Sequence, residues 1–135
     1  MKLSALIFAA AVLSFAGVAA HTADKVDKNT QENEAKLAHM LEGRKAGEPV
    51  SCIPLQRLHE LKVLYGVALV YDTGDIIYVS RPTNPEGLRR DDVVIIDRHT
   101  SQLCNSDVIH TVNRDVGYIT GVVFLGKFVP YKKPG

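Results

Sequence analysis

Apolar positions fall along the chain in three patterns, and each predicts a different kind of element. The first runs from Leu3 to Phe15, broken only by two serines, with Lys2 in front of it and the small residues Val18-Ala19-Ala20 behind it before His21. A positive start, an apolar stretch and a small-residue end form an export signal, with cleavage expected between Ala20 and His21. The stretch is shorter than the roughly 20 residues of a membrane span, and no second candidate follows. No cysteine lies near the cleavage point to carry a lipid anchor. The mature chain is expected to have no transmembrane segment and to reside in the periplasm or outside the cell.

The second pattern begins with a polar leader, His21 to Gln31, that lacks apolar periodicity. Asn29 with Glu32 has the spacing of a capping box, Ala35, Leu37, Ala38, Met40 and Leu41 gather on one side, and Gly43 or Gly47 can end the element. This predicts a short amphipathic helix. Its polar side mixes Glu and Lys, so it is expected to pack on the domain and not on a membrane surface.

After Pro49 the pattern turns to short runs of Val, Ile and Tyr punctuated by Gly and Pro. Val67 to Tyr71 and Ile76 to Ser80 flank Asp72-Thr73-Gly74-Asp75, a hairpin turn by composition. Val93 to Ile96 is wholly apolar between Asp92 and Asp97. Val108 to Val112 and Tyr118 to Leu125 are joined by Asn113-Arg114-Asp115-Val116-Gly117, and Phe128 to Tyr131 is a last strand. Runs that are apolar at every position predict strands covered on both faces or set in the middle of a closed sheet. Gly121 inside one of them predicts a bulge or bend. The fold expected is mainly β, a small antiparallel β-barrel or sandwich with one N-terminal amphipathic helix. Its organisation is a signal at 1–20, leader and helix at 21–47, a β domain at 48–131 and a tail at 132–135.

Composition narrows the classes. Cleavage after Ala20 removes Lys2, so the 16 basic residues become 15 against 15 acidic ones. A nucleic-acid binder needs a basic excess to neutralise phosphates. Here the basic residues near the end, Lys127, Lys132 and Lys133, read as a solvated terminus. Cys52 and Cys104 are the only cysteines; in an oxidising compartment an even pair points to one disulfide, which suits a core this small.

The residues Leu41-Glu42-Gly43-Arg44-Lys45-Ala46-Gly47-Glu48-Pro49-Val50-Ser51-Cys52-Ile53, then Leu88 with Asp91-Asp92, Ser101-Gln102-Leu103-Cys104, and Leu125-Gly126-Lys127-Phe128-Val129-Pro130-Tyr131 resemble a family of small, exported, uncharacterised proteobacterial proteins. The resemblance spans about residues 41–131. It implies export and a disulfide, and it carries no catalytic residue across.

Candidate chemistry is sparse. Asp72-Thr73-Gly74 follows an apolar strand as the catalytic triplet of aspartic proteases does, and a single-lobe enzyme of that type would dimerise to pair two carboxylates. Phe124-Leu125-Gly126 would then mimic the second glycine element of the lobe. Against this, Asp75 stands where such enzymes place Ala or Ser, and Ile76 resumes a strand, so the segment reads as a turn. The histidines, His21, His39, His59, His99 and His110, have no short metal-ligand spacing. Cleavage would expose His21, whose amine and imidazole offer a copper site if His99 or His110 joined them. His110 alternates with Val108 and Val112, which predicts a half-buried, hydrogen-bonded structural residue.

Arg89-Arg90-Asp91-Asp92 and Asp97-Arg98-His99 bracket the strand at Val93 to Ile96. They read as salt bridges at strand ends or as the polar rim of a recognition surface. Serine-nucleophile and phosphate-loop signatures are absent. The reading is an exported, non-catalytic binding or envelope-associated module for an unknown protein or small-molecule partner, without catalytic residues, metal or cofactor. The alternative is an enzyme, either the Asp72 protease or a copper protein using His21.

Overall fold

Helix α1, Lys28–Met40, shows how little apolar surface a helix needs when its partner sheet is apolar. In this computed structural model the described residues are 27–55, 60–97 and 99–135, so the signal, its cleavage point at Ala20 and His21, and most of the leader lie outside them. Only Leu37 and Asn33 of the helix are buried, with Met40 and Leu41 packed beside them. Ala35 and Ala38 are exposed, so the apolar side is narrower than its sequence pattern. Asn33 earns its burial because its amide donates to the Tyr65 carbonyl at 2.9 Å.

The helix begins earlier than the capping-box spacing indicates. Asp27 is the N-cap, without a side-chain bond, and Asn29 instead accepts from Arg90. Gly43, at φ 70°, turns the chain away after the last helical turn.

The strands are β1 (Lys45–Ala46), β2 (Cys52–Pro54), β3 (Glu60–Leu64), β4 (Ala68–Asp72), β5 (Ile76–Ser80), β6 (Asp92–Ile96), β7 (Gln102–Cys104), β8 (Ile109–Asn113), β9 (Ile119–Val123) and β10 (Phe128–Lys132). The fold is mainly β and every pairing is antiparallel. Five strands form one sheet in the order β1-β10-β5-β4-β3, three form a second in the order β6-β8-β9, and β2 pairs with β7 in a ribbon. The sheets do not close on one another, which corrects the barrel form of the expectation.

Alternation along β4 sends Leu69 and Tyr71 to one face of the five-stranded sheet and Ala68 and Val70 to the other. The first face, which Phe128 of β10 shares, meets Ile53 and Leu103 from the ribbon and Ile109 and Val123 from the three-stranded sheet. Tyr71 and Phe128 meet edge to face with ring centres 5.7 Å apart. The second face is covered by α1. Cover on both faces therefore holds for β4.

Four strands, β1, β2, β3 and β7, have no counterpart among the sequence runs identified above. The ribbon strands are three residues each, too short to show a period. In β3, Glu60 and Lys62 interrupt the apolar run and contact each other at 3.2 Å, a charged dressing suited to a sheet edge.

Candidate functional site

The three-stranded sheet carries apolar side chains on both faces, and among the described residues only one face is covered. Its register sets out three rows on the uncovered side. Ile95, His110 and Val122 form the middle row, and Val93, Val112 and Ile119 form a second. Asp97, Val108 and Phe124 continue the alternation into a third row just beyond the paired residues. Ile119 is 64% exposed, Phe124 62% and Ile95 47%. Of the eight large exposed apolar residues among those described, seven lie between Val93 and Phe124. Expected cover on both sides does not hold for β6, where Val93 and Ile95 face solvent.

The β8–β9 turn adds two more exposed apolar residues beside the sheet. Asn113 Oδ1 accepts from the amides of Asp115 and Val116, each at 3.0 Å, and Gly117 takes φ 75°. The tight turn holds Val116 and Tyr118 in the open.

His110, at the centre of the middle row, is half-buried as its spacing indicates. The expected hydrogen bond is not made, because Nδ1 is buried without a partner.

The inner side of the same sheet grades from apolar to polar. Ile96, Ile109 and Val123 face the core at one end. At the other, the register slips between Thr111 and Val112, leaving Thr120 as an extra residue next to Gly121. This is the bulge that Gly121 indicates. It turns the Thr120 hydroxyl inward, where it donates to Asp92 Oδ2 at 2.6 Å and lies 2.9 Å from Thr111 Oγ1. One hydroxyl carries one proton, so Thr111 is the donor in the second contact. Asp92 and Thr111 are buried, and a cleft of about 210 Å³ opens beside Thr111 and Thr120 against Glu86 and Arg89.

Asp92 is thereby a structural acceptor, while the rest of the charged bracket stays outside. Among the described residues no ion pair joins Arg89 or Arg90 to Asp91 or Asp92; Asp97 has only a 3.8 Å contact with His99. Arg89, Arg90, Asp91, Asp97 and His99 are exposed. Arg98 lies outside the described residues. Arg89 lines that inner cleft and Arg90 reaches Asn29 on α1, so only part of the bracket, with Asp97 at a corner, borders the uncovered face.

Asp72 sits where β4 enters its turn. Its Oδ1 accepts from the Gly74 amide at 2.7 Å, Thr73 bonds to the Ile76 carbonyl through its amide (3.0 Å) and its hydroxyl (2.9 Å), and Gly74 takes φ 91°. These are the contacts of a hairpin turn. Gly126 lies at the opposite end of β5, where its carbonyl accepts from Ser80 at 2.8 Å. A Cβ there would press on the Arg81 carbonyl, which explains the glycine. The structure does not bring Asp72 and the Phe124-Leu125-Gly126 segment together.

Among the described residues no cluster of three His, Cys, Asp or Glu is placed to hold a metal. His99 and His110 are on different elements, and His21 and His59 lie outside the described residues. Cys52 and Cys104 are bonded, directly opposite each other on β2 and β7 with Cα atoms 4.0 Å apart. No described helix is long and apolar enough to cross a membrane. No protein-family model, curated protein or solved structure matches the chain.

Proposed function

We propose that this protein is an exported, non-catalytic binding module, a sandwich-like β domain that recognises its partner through the outer face of β6, β8 and β9. The observation that carries this reading is the concentration of exposed apolar side chains on that face, with the exposed Asp97 at its corner and Arg114 and Asp115 at its turn. An apolar patch with a polar rim is the common anatomy of a protein interface. The Cys52–Cys104 bond suits a periplasmic or extracellular setting. Kinship with the small exported proteobacterial family belongs to the same proposal, since the residues quoted for it include both cysteines.

The test is site-specific photo-crosslinking in cells, with the photoreactive side chain at Phe124 on the face or at Lys45 on β1. A discrete adduct from Phe124, absent from Lys45 and lost when Ile95→Asp is added, is expected. Equal labelling from both positions, or none from Phe124, overturns the reading.

A further inference from the structure

We propose that the occupant of this face is a second copy of the same chain, packed face to face about a two-fold axis. The inference rests on the face being a recognition surface and names what it recognises. Val93, Ile95, Val108, Ile119 and Phe124, with Val116 at the turn, expose on the order of 600 Å², the upper end of the roughly 300–600 Å² of the largest patch on a typical monomer. Doubled across a two-fold, that area reaches the lower end of the roughly 1,200–2,000 Å² of a standard interface. Two β-sheets pack this way at about 10 Å, with their side chains interdigitated.

The charges fit a copy of the chain better than a lipid surface. The three rows hold one charged residue, Asp97, at a corner. An axis running along or across the strands sets the two Asp97 carboxylates at different corners, so no like charges meet at the centre of the apolar contact. A membrane surface calls for a basic girdle, whereas Arg114 stands beside Asp115 and the bracket at β6 mixes both signs.

Symmetry then makes a specific demand. His110 occupies the middle of the middle row, and an axis through the centre of the face brings His110 of one copy against His110 of the other, whichever way the axis runs.

The experiment is sedimentation of the chain as the cell processes it, paired with oxidation of a His110→Cys variant. Expected are a reversible dimer, weakened about 30-fold or more by Ile119→Asp, which sets an unpaired carboxylate into the apolar contact, and left unchanged by Val50→Asp, an exposed apolar residue outside the face. His110→Cys should give a covalent dimer in air that dithiothreitol dissolves, with circular dichroism confirming that each variant folds. A monomer up to about 100 μM, well above the micromolar end for interfaces of this size, overturns the dimer. If Phe124 then crosslinks to a different protein, the binding face survives and only its occupant was wrong. If it crosslinks to residues 1–26 of its own chain or to nothing, both readings fall. A dimer indifferent to Ile119→Asp places the interface elsewhere and overturns the proposal.

Discussion

Strands β4 and β6 carry nearly the same sequence signal and meet opposite fates. Ala68-Leu69-Val70-Tyr71 is wholly buried, whereas in Val93-Val94-Ile95-Ile96 alternate residues face solvent. The strands do not cause the difference. Helix α1 lies over one face of the five-stranded sheet, and among the described residues no element lies over the outer face of the three-stranded one. An apolar run states that a strand expects cover on both sides; what supplies the cover depends on the rest of the chain, or on another chain.

The largest effect expected is at β4. Leu69→Ala should lower unfolding free energy by about 2–5 kcal/mol, since a fully buried leucine leaves a cavity. Ile95→Ala, measured under conditions that keep the chain monomeric, should cost about 1 kcal/mol or less. Comparable losses in denaturant titrations would mean that β6 is covered within the monomer.

Next in size is Cys104→Ser, expected to cost roughly 2–4 kcal/mol by freeing a loop spanning 52 residues in the unfolded chain. The ribbon places Ile53 and Leu103 in the core, so the loss should loosen the side of the molecule that joins the two sheets. Thiol labelling after unfolding should find no free thiol in the parent protein.

The smallest effect is at Tyr71, whose hydroxyl is buried without a partner. Tyr71→Phe should be neutral or stabilising by up to about 1 kcal/mol, because it removes a polar group whose desolvation nothing offsets. Burial also pushes the phenol well above its ordinary range. The unfolded chain therefore loses this proton near pH 10 while the folded chain keeps it, and stability falls as pH rises past that value. Thermal melts from pH 8 to about 11 should show a shallower decline in Tyr71→Phe.

Local patterns carried much of the fold. The Asp72–Asp75 turn, the Asn113–Gly117 turn and the Gly121 bulge could all be read from residues close in sequence, because each depends on turn chemistry or a missing Cβ. The two-residue β1 and the three-residue β2 and β7 could not, since pairing with distant segments makes them strands. The candidate site was readable in part. The apolar runs mark β6, β8 and β9, yet exposure of the apolar rows follows from where α1 goes, and that is tertiary information. Asn29 shows the same limit: its spacing fits a cap, and Arg90, 61 residues away, takes its side chain instead.

The place of β10 within the five-stranded sheet has a consequence for biosynthesis. Residues 128–132 lie between β1, from residues 45–46, and β5, from residues 76–80, and Phe128 is fully buried. A chain emerging from its N-terminus can form the β3-β4-β5 meander early, but the sheet stays one strand short of joining β1 until residue 132 is free. The most distant pairings are completed last, when loop closure costs most entropy. A chain still being synthesised thus keeps this sheet unfinished until nearly all of it has emerged.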